Sequence, residues 1–101
     1  MTLEAEFHQA MMEVYEVAKA HDYYAIYFKR MIDEHGGVEA AKRLLAEREI
    51  QSGLMRLWEL NLLNHSMEAA VSQERFRPLF TEAEVQEARR RLEQLGFFSG
   101  K

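Results

Sequence analysis

Four histidines, a run of three arginines and one aromatic stripe carry whatever chemistry this chain has beyond packing. The histidines are His8, His21, His35 and His65. None stands in a spacing such as HExxH, which sets two imidazoles on one helical face around a metal. Glu4 and His8 are four apart, a pairing common on solvated helices. Asp33-Glu34-His35 reads as an acid–base cluster only in print, because consecutive helical residues point about 100° apart and do not converge. Gly36-Gly37 lacks the glycine spacing and the Lys-Ser/Thr of a phosphate loop, and reads instead as a joint between helices. No metal set, cofactor site or catalytic constellation emerges, and the expectation is a protein that is not an enzyme.

Two groups of residues are candidates for binding. Tyr23, Tyr27 and Arg30 recur at steps of four and three, which places them on one side of a helix. Tyrosine and arginine are favoured interface anchors, so these three are the candidate partner-binding residues, for a protein partner or a second copy. The second group is basic: Lys42, Arg43, Arg56 and Arg89-Arg90-Arg91, with Arg75 and Arg77 upstream. Three consecutive arginines fan around a helix, and Glu87 and Glu93 flank them, so a solvated face competes with a nucleic-acid or acidic-partner patch. Residues 40–45 and 52–60 resemble the two helices of a helix-turn-helix. The 46–51 connector exceeds the usual turn of about 3–4 residues, and Arg56 is the one base-reading cation of the second helix. The formal charge of −4 repels phosphate at long range. The favoured function is a non-catalytic interaction or adaptor module that self-associates or docks on a protein. A DNA- or RNA-binding regulator is the alternative.

The elements that must position these residues are helical throughout. Leu3, Phe7, Met11, Val14 and Ala18 form one face of a helix over 3–19, capped by Thr2. Asp22 reads as the N-cap of a second helix, with Tyr24, Phe28, Met31 and Ile32 facing inward and Gly36 ending it. Val38, Ala41, Leu44 and Leu45 line a third helix over 38–47. A fourth starts at a Ser52 cap with Leu54, Leu57 and Trp58 inward, and a short fifth covers 67–72 behind Ser66. Pro78 disfavours helix at Arg77, so 74–80 reads as an extended connector pinned by Phe76, Leu79 and Phe80. Thr81 and Glu84 form a capping box for the sixth helix, Phe80 can staple onto Val85, and Gly96 stops it. The tail 99–101 is expected to fray. The expected fold is therefore all-α: a compact single-domain bundle of five or six helices over 1–101, the last packed on the first two, with Trp58 and Phe28 in the core.

Composition sets the remaining bounds. The 101 residues are 48% hydrophobic and 30% charged, enough for one domain to fold without staples. The lack of cysteine fits a reducing cytosol. The start Met1-Thr2-Leu3-Glu4-Ala5-Glu6 lacks the basic and apolar regions of a signal peptide. No apolar run approaches the roughly 20 residues of a membrane span. The expectation is a cytoplasmic protein without membrane contact.

Three blocks carry a resemblance: His35-Gly36-Gly37-Val38-Glu39-Ala40-Ala41-Lys42-Arg43-Leu44-Leu45, Phe76-Arg77-Pro78-Leu79-Phe80-Thr81-Glu82 and Ala88-Arg89-Arg90-Arg91-Leu92-Glu93. In content and order they resemble a widespread family of small uncharacterised bacterial helical proteins of about this length. Helical patterning alone does not demand Phe-Arg-Pro-Leu-Phe. The resemblance implies a bacterial cytosolic protein that stands alone or as a module beside larger proteins acting on nucleic acids. It brings no enzymatic residues to carry over. Residues 23–28 are more aromatic than is usual for that family.

Overall fold

Six α-helices and two 3-10 helices follow one another along the chain, with no strand among the described residues. The structure, a computed structural model, describes residues 2–47 and 52–98. The helices are α1 (Leu3–Ala20), α2 (Ile26–His35), α3 (Gly37–Ala46), α4 (Ser52–Glu59), α5 (Met67–Val71) and α6 (Glu82–Gln94). The 3-10 helices are Leu63–His65 and Glu74–Leu79. The fold is all-α, as the periodicities require.

Helix starts follow the sequence signals closely. The Thr2 hydroxyl accepts from the Ala5 amide, and Ser66 accepts from the Ala69 amide. Thr81 and Glu84 form the full capping box of α6. Phe80 and Val85, the expected staple, lie buried in the same cluster. The capping expected of the Ser52 side chain, the rest of the 46–51 connector from Arg48 on, and the 99–101 tail lie outside the described residues.

The ends of α1, α4 and α6 share one device. After α1, the Asp22 amide donates to the Lys19 carbonyl and the Tyr23 amide to the Ala18 carbonyl, with Asp22 at φ 65°. After α4, Asn61 (φ 63°) donates to Trp58 and the Leu62 amide to Leu57. After α6, Gly96 (φ 79°) donates to Glu93 and the Phe97 amide to Leu92. Each pair satisfies two orphan carbonyls through a residue in the left-handed region. Asp22 is therefore not the N-cap of α2. It terminates α1, because aspartate tolerates the left-handed conformation better than most side chains. Helix α2 starts four residues later, at Ile26.

The main core gathers Phe7 and Met11 of α1, Ile32 of α2, Ala40, Ala41 and Leu44 of α3, Val71 of α5 and Val85 of α6. At its centre the Phe7 ring meets Phe76 and Phe80 edge-on, each at 5.0 Å between centroids. That cluster draws the 74–80 segment into a 3-10 helix with Pro78 inside it, where an extended connector was expected. The pull of a fully buried Phe76 outweighs the local bias that Pro78 places on Arg77. Helices α1 and α3 touch at Gly37. A Cβ there would lie 2.6 Å from the His8 backbone Cα, so only glycine fits. The Gly37 amide donates to His8 Nδ1 at 2.9 Å, which gives the first turn of α3 an acceptor and commits that imidazole nitrogen.

Three packing expectations are corrected. Helix α6 packs mainly on α5 and α3 rather than on α1 and α2. Trp58 is 47% exposed instead of core, because α4 turns Leu54 and Leu57 inward and leaves the indole on its outer side. Tyr24 is exposed and Phe28 only half-buried against the core, since α2 starts beyond Tyr24. Phe76→Ala should cost about 3–5 kcal/mol in urea unfolding. Trp58→Ala should cost less than about 1 kcal/mol. The emission of this single tryptophan should be quenched freely by acrylamide.

Candidate functional site

The arginine run does not form a patch. Arg91 is the largest fully buried side chain among the described residues. Its Nε donates to Glu87 Oε2 at 2.7 Å and its Nη1 to Glu68 Oε2 at 3.3 Å. Its Nη2 lies within hydrogen-bonding reach of three carbonyls: Leu44 at 3.2 Å, Leu45 at 3.3 Å and Glu47 at 2.7 Å. Those carbonyls stand at the C-terminal end of α3 and its cap residue Glu47, where a cation suits the helix dipole. One guanidinium thus ties α6 to α5 and to α3. Among the described residues, no buried side-chain nitrogen or oxygen is left without a partner.

The carboxylates around it respond differently. Burial pushes the Glu68 carboxyl above its ordinary range, and Arg91 opposes that rise. Glu87 lies at the surface end of the network. The hydrogen bond from Arg90, joined by one from Arg91, lowers it from 4.5 to about 2.

The other candidate cations are also engaged. Lys42 meets Glu84 at 2.8 Å and lies over the Phe80 ring. Arg43 pairs with Glu39, Arg56 with Glu59 and Arg90 with Glu87. Arg89 lies over Phe98, its guanidinium carbon 4.6 Å from the ring centroid. The six residues do not converge on a shared basic face built from free cations.

The aromatic stripe is rearranged rather than dispersed. Tyr23 is not on α2. It lies in the turn after α1, half-buried against Ala18, Leu57 and Leu62, with its hydroxyl over Gly53 of α4. Burial raises its pKa, with Arg56 opposing. Its place on the surface is taken by Tyr24 (53% exposed) and Ile26 (58%), beside Tyr27 (50%). Arg30 follows Ile26 by four residues and Tyr27 by three, on the same exposed side of α2.

Tyr24, Ile26 and Tyr27 edge the mouth of a pocket of about 150 Å³, with Arg30 beyond it. Val14 and Ala18 of α1, Leu54 and Leu57 of α4, and Leu44 of α3 line it, with Met67 and Glu68 of α5. Leu44 and Glu68, both held by Arg91, form its buried end. On the rim, the Tyr27 hydroxyl donates to Glu47 Oε2 at 3.3 Å. Sequence reasoning missed the pocket because it lies between elements far apart in the chain. The aromatic excess of 23–28 was its one visible trace.

The histidines and acids weighed for catalysis are placed elsewhere. His8 holds Gly37, His21 Nδ1 contacts the Val17 carbonyl, and Asp33 pairs with Lys29. No group of three or more metal-ligating side chains gathers among the described residues, and no helix there is long and apolar enough to cross a membrane.

Comparison with family models, curated proteins and solved structures finds no match. The resemblance stated above rests on its three blocks, and each block has a mechanical use here. The first holds the Gly37 contact, the second the Phe76–Phe80 cluster and the capping box, and the third the buried Arg91.

Two outcomes follow from the network. Arg91→Met should cost about 3–5 kcal/mol, because it strands Glu68. Adding Glu68→Leu should recover only part of that loss in urea unfolding, since the guanidinium bonds to the Leu44, Leu45 and Glu47 carbonyls stay lost. Second, the folded pKa of Glu87 lies below its unfolded value. Its stabilisation is therefore present above pH 4.5 and lost as pH falls toward about 2. Glu68, shifted the other way, adds nothing to that acid loss. Urea titrations across this range should show a decline that Glu87→Gln flattens.

Proposed function

We propose that the chain is a non-catalytic protein-interaction module whose pocket receives one apolar side chain of a protein partner. The observation that carries this is the exposure of Tyr24, Ile26 and Tyr27 together at the mouth of an apolar pocket. Exposed apolar groups clustered around a concavity mark interaction sites. The volume selects the kind of occupant. A cavity near 150 Å³ holds about one aromatic ring. Sites for small molecules and cofactors run to about 300–1,000 Å³. Glu68, the one carboxylate among the described residues lining the pocket, is paired and buried, which suits a structural role better than proton transfer. The internal pairing of Lys42, Arg43, Arg56, Arg90 and Arg91 weighs against the nucleic-acid alternative, since phosphate binding draws on free cations. A bacterial cytosolic setting rests on the block resemblance and the lack of cysteine.

The double change Tyr24→Ser with Tyr27→Ser tests the reading. Both side chains are exposed, so melting should move little. A second copy as partner would appear in light scattering as a mass that falls to the monomer in the variant. A different partner would be captured by the wild type and, once purified, bind the variant more than about tenfold more weakly. A wild type that is monomeric and captures nothing beyond what the variant captures overturns the proposal.

A further inference from the structure

Resting on that reading, we infer that the partner presents a carboxylate one helical turn from its apolar anchor, and that Arg30 receives it. Among the described residues, Arg43, Arg56, Arg75, Arg77, Arg90 and Arg91 each hold a carboxylate, at between 2.7 and 3.2 Å. Arg89 lies over the Phe98 ring instead. Arg30 alone of the described arginines has neither a carboxylate nor a ring. This chain has an acidic balance, 17 acids against 13 bases, so an arginine left without an acid is a departure from its own pattern.

The position of Arg30 gives that departure a meaning. It stands on the exposed side of α2, one turn beyond Ile26 and Tyr27, which edge the pocket. Side chains three or four apart on a helix lie about 5–6 Å apart at their Cβ atoms. An anchor seated in the pocket therefore brings a neighbouring residue of its own segment over Arg30. The guanidinium fork matches a carboxylate in two parallel hydrogen bonds, a geometry that lysine cannot supply. On the same side of α2, the Tyr27 hydroxyl donates to the Glu47 carboxylate. Arg30 thus offers a cation with no acid of its own beside the apolar mouth, which complements an amphipathic acidic segment. The occupant is such a segment of another protein. A second copy of this chain and an uncharged apolar segment are the competing outcomes.

A phage-displayed random peptide library panned on the full chain tests this, with Arg30→Gln, Arg30→Glu and the Tyr24→Ser/Tyr27→Ser variant in parallel. Circular dichroism melting first establishes that each variant is folded. The expected selection on the wild type is an apolar anchor with Asp or Glu three or four positions away. Synthetic peptides of that consensus should bind Arg30→Gln about three- to tenfold more weakly. Arg30→Glu should select Lys or Arg at the same position. Anchored peptides without an acidic position, or an acidic preference that Arg30→Glu leaves unchanged, overturn the role of Arg30 while the pocket reading stands. Selected peptides that match a segment of this chain identify a second copy as the occupant, and overturn the inference of a different protein. No enrichment over the Tyr24→Ser/Tyr27→Ser variant overturns both readings.

Discussion

The buried guanidinium of Arg91 is the constraint on which the arrangement turns. A charge in a protein interior is tolerated only when its donors are answered. Here the answers come from three helices: Glu87 on the same helix, Glu68 on α5, and the exposed end of the α3 hydrogen-bond ladder. The polar groups therefore specify one arrangement of α3, α5 and α6, where an apolar contact alone would permit sliding. The price in desolvation is visible at Glu68, whose carboxyl is pushed up despite its cationic neighbour. At the surface end of the same network Glu87 moves the other way, so one guanidinium sits between two acids with opposite tendencies.

Much of the fold was legible because it is set locally. The Thr81–Glu84 capping box, the Ser66 cap and the Gly96 stop each lie within a few residues, and the apolar spacing of Phe7, Met11 and Ala18 names one face. What failed was decided at a distance or between equal local options. Asp22 suits an N-cap and a left-handed helix end alike, and the chain uses the second. Pro78 argued for extension, but the nearest ring to Phe76 comes from α1, some seventy residues earlier. Arg91 is the sharpest case. Nothing in Arg89-Arg90-Arg91 distinguishes the one that enters the core, except that Ala88, Arg91, Leu92 and Leu95 share a face on helical spacing. Within the candidate site, Tyr27 and Arg30 kept the exposed side they were given. Tyr23 exchanged roles with Tyr24 because the start of α2 was placed three residues too early.

Small residues and left-handed turns supply the rest of the geometry. Asp22 and Asn61 end the two helices that flank the pocket, and each turn passes directly into a residue of the cluster beneath it, Tyr23 or Leu62. Gly37 lets α3 lie almost on the backbone of α1, and His8 then accepts the first amide of that helix. The same short contact fixes where the other end of α3 arrives, and so where Leu44 and the Glu47 carbonyl meet Arg91.

The Tyr27–Glu47 hydrogen bond divides the pocket into parts of unequal stiffness. The inner wall is bolted: Leu44 and Glu68 are immobilised by a single cation that several acceptors hold in place. The lip has no such bolt. The hydrogen bond there from Tyr27 to Glu47 faces solvent at 3.3 Å, and the helix that makes it begins without a side-chain cap. A weak exposed contact opens at little cost while the buried network stays shut. The cavity is in effect a socket with a rigid back and a compliant front, and any change of shape at it falls on the first turn of α2.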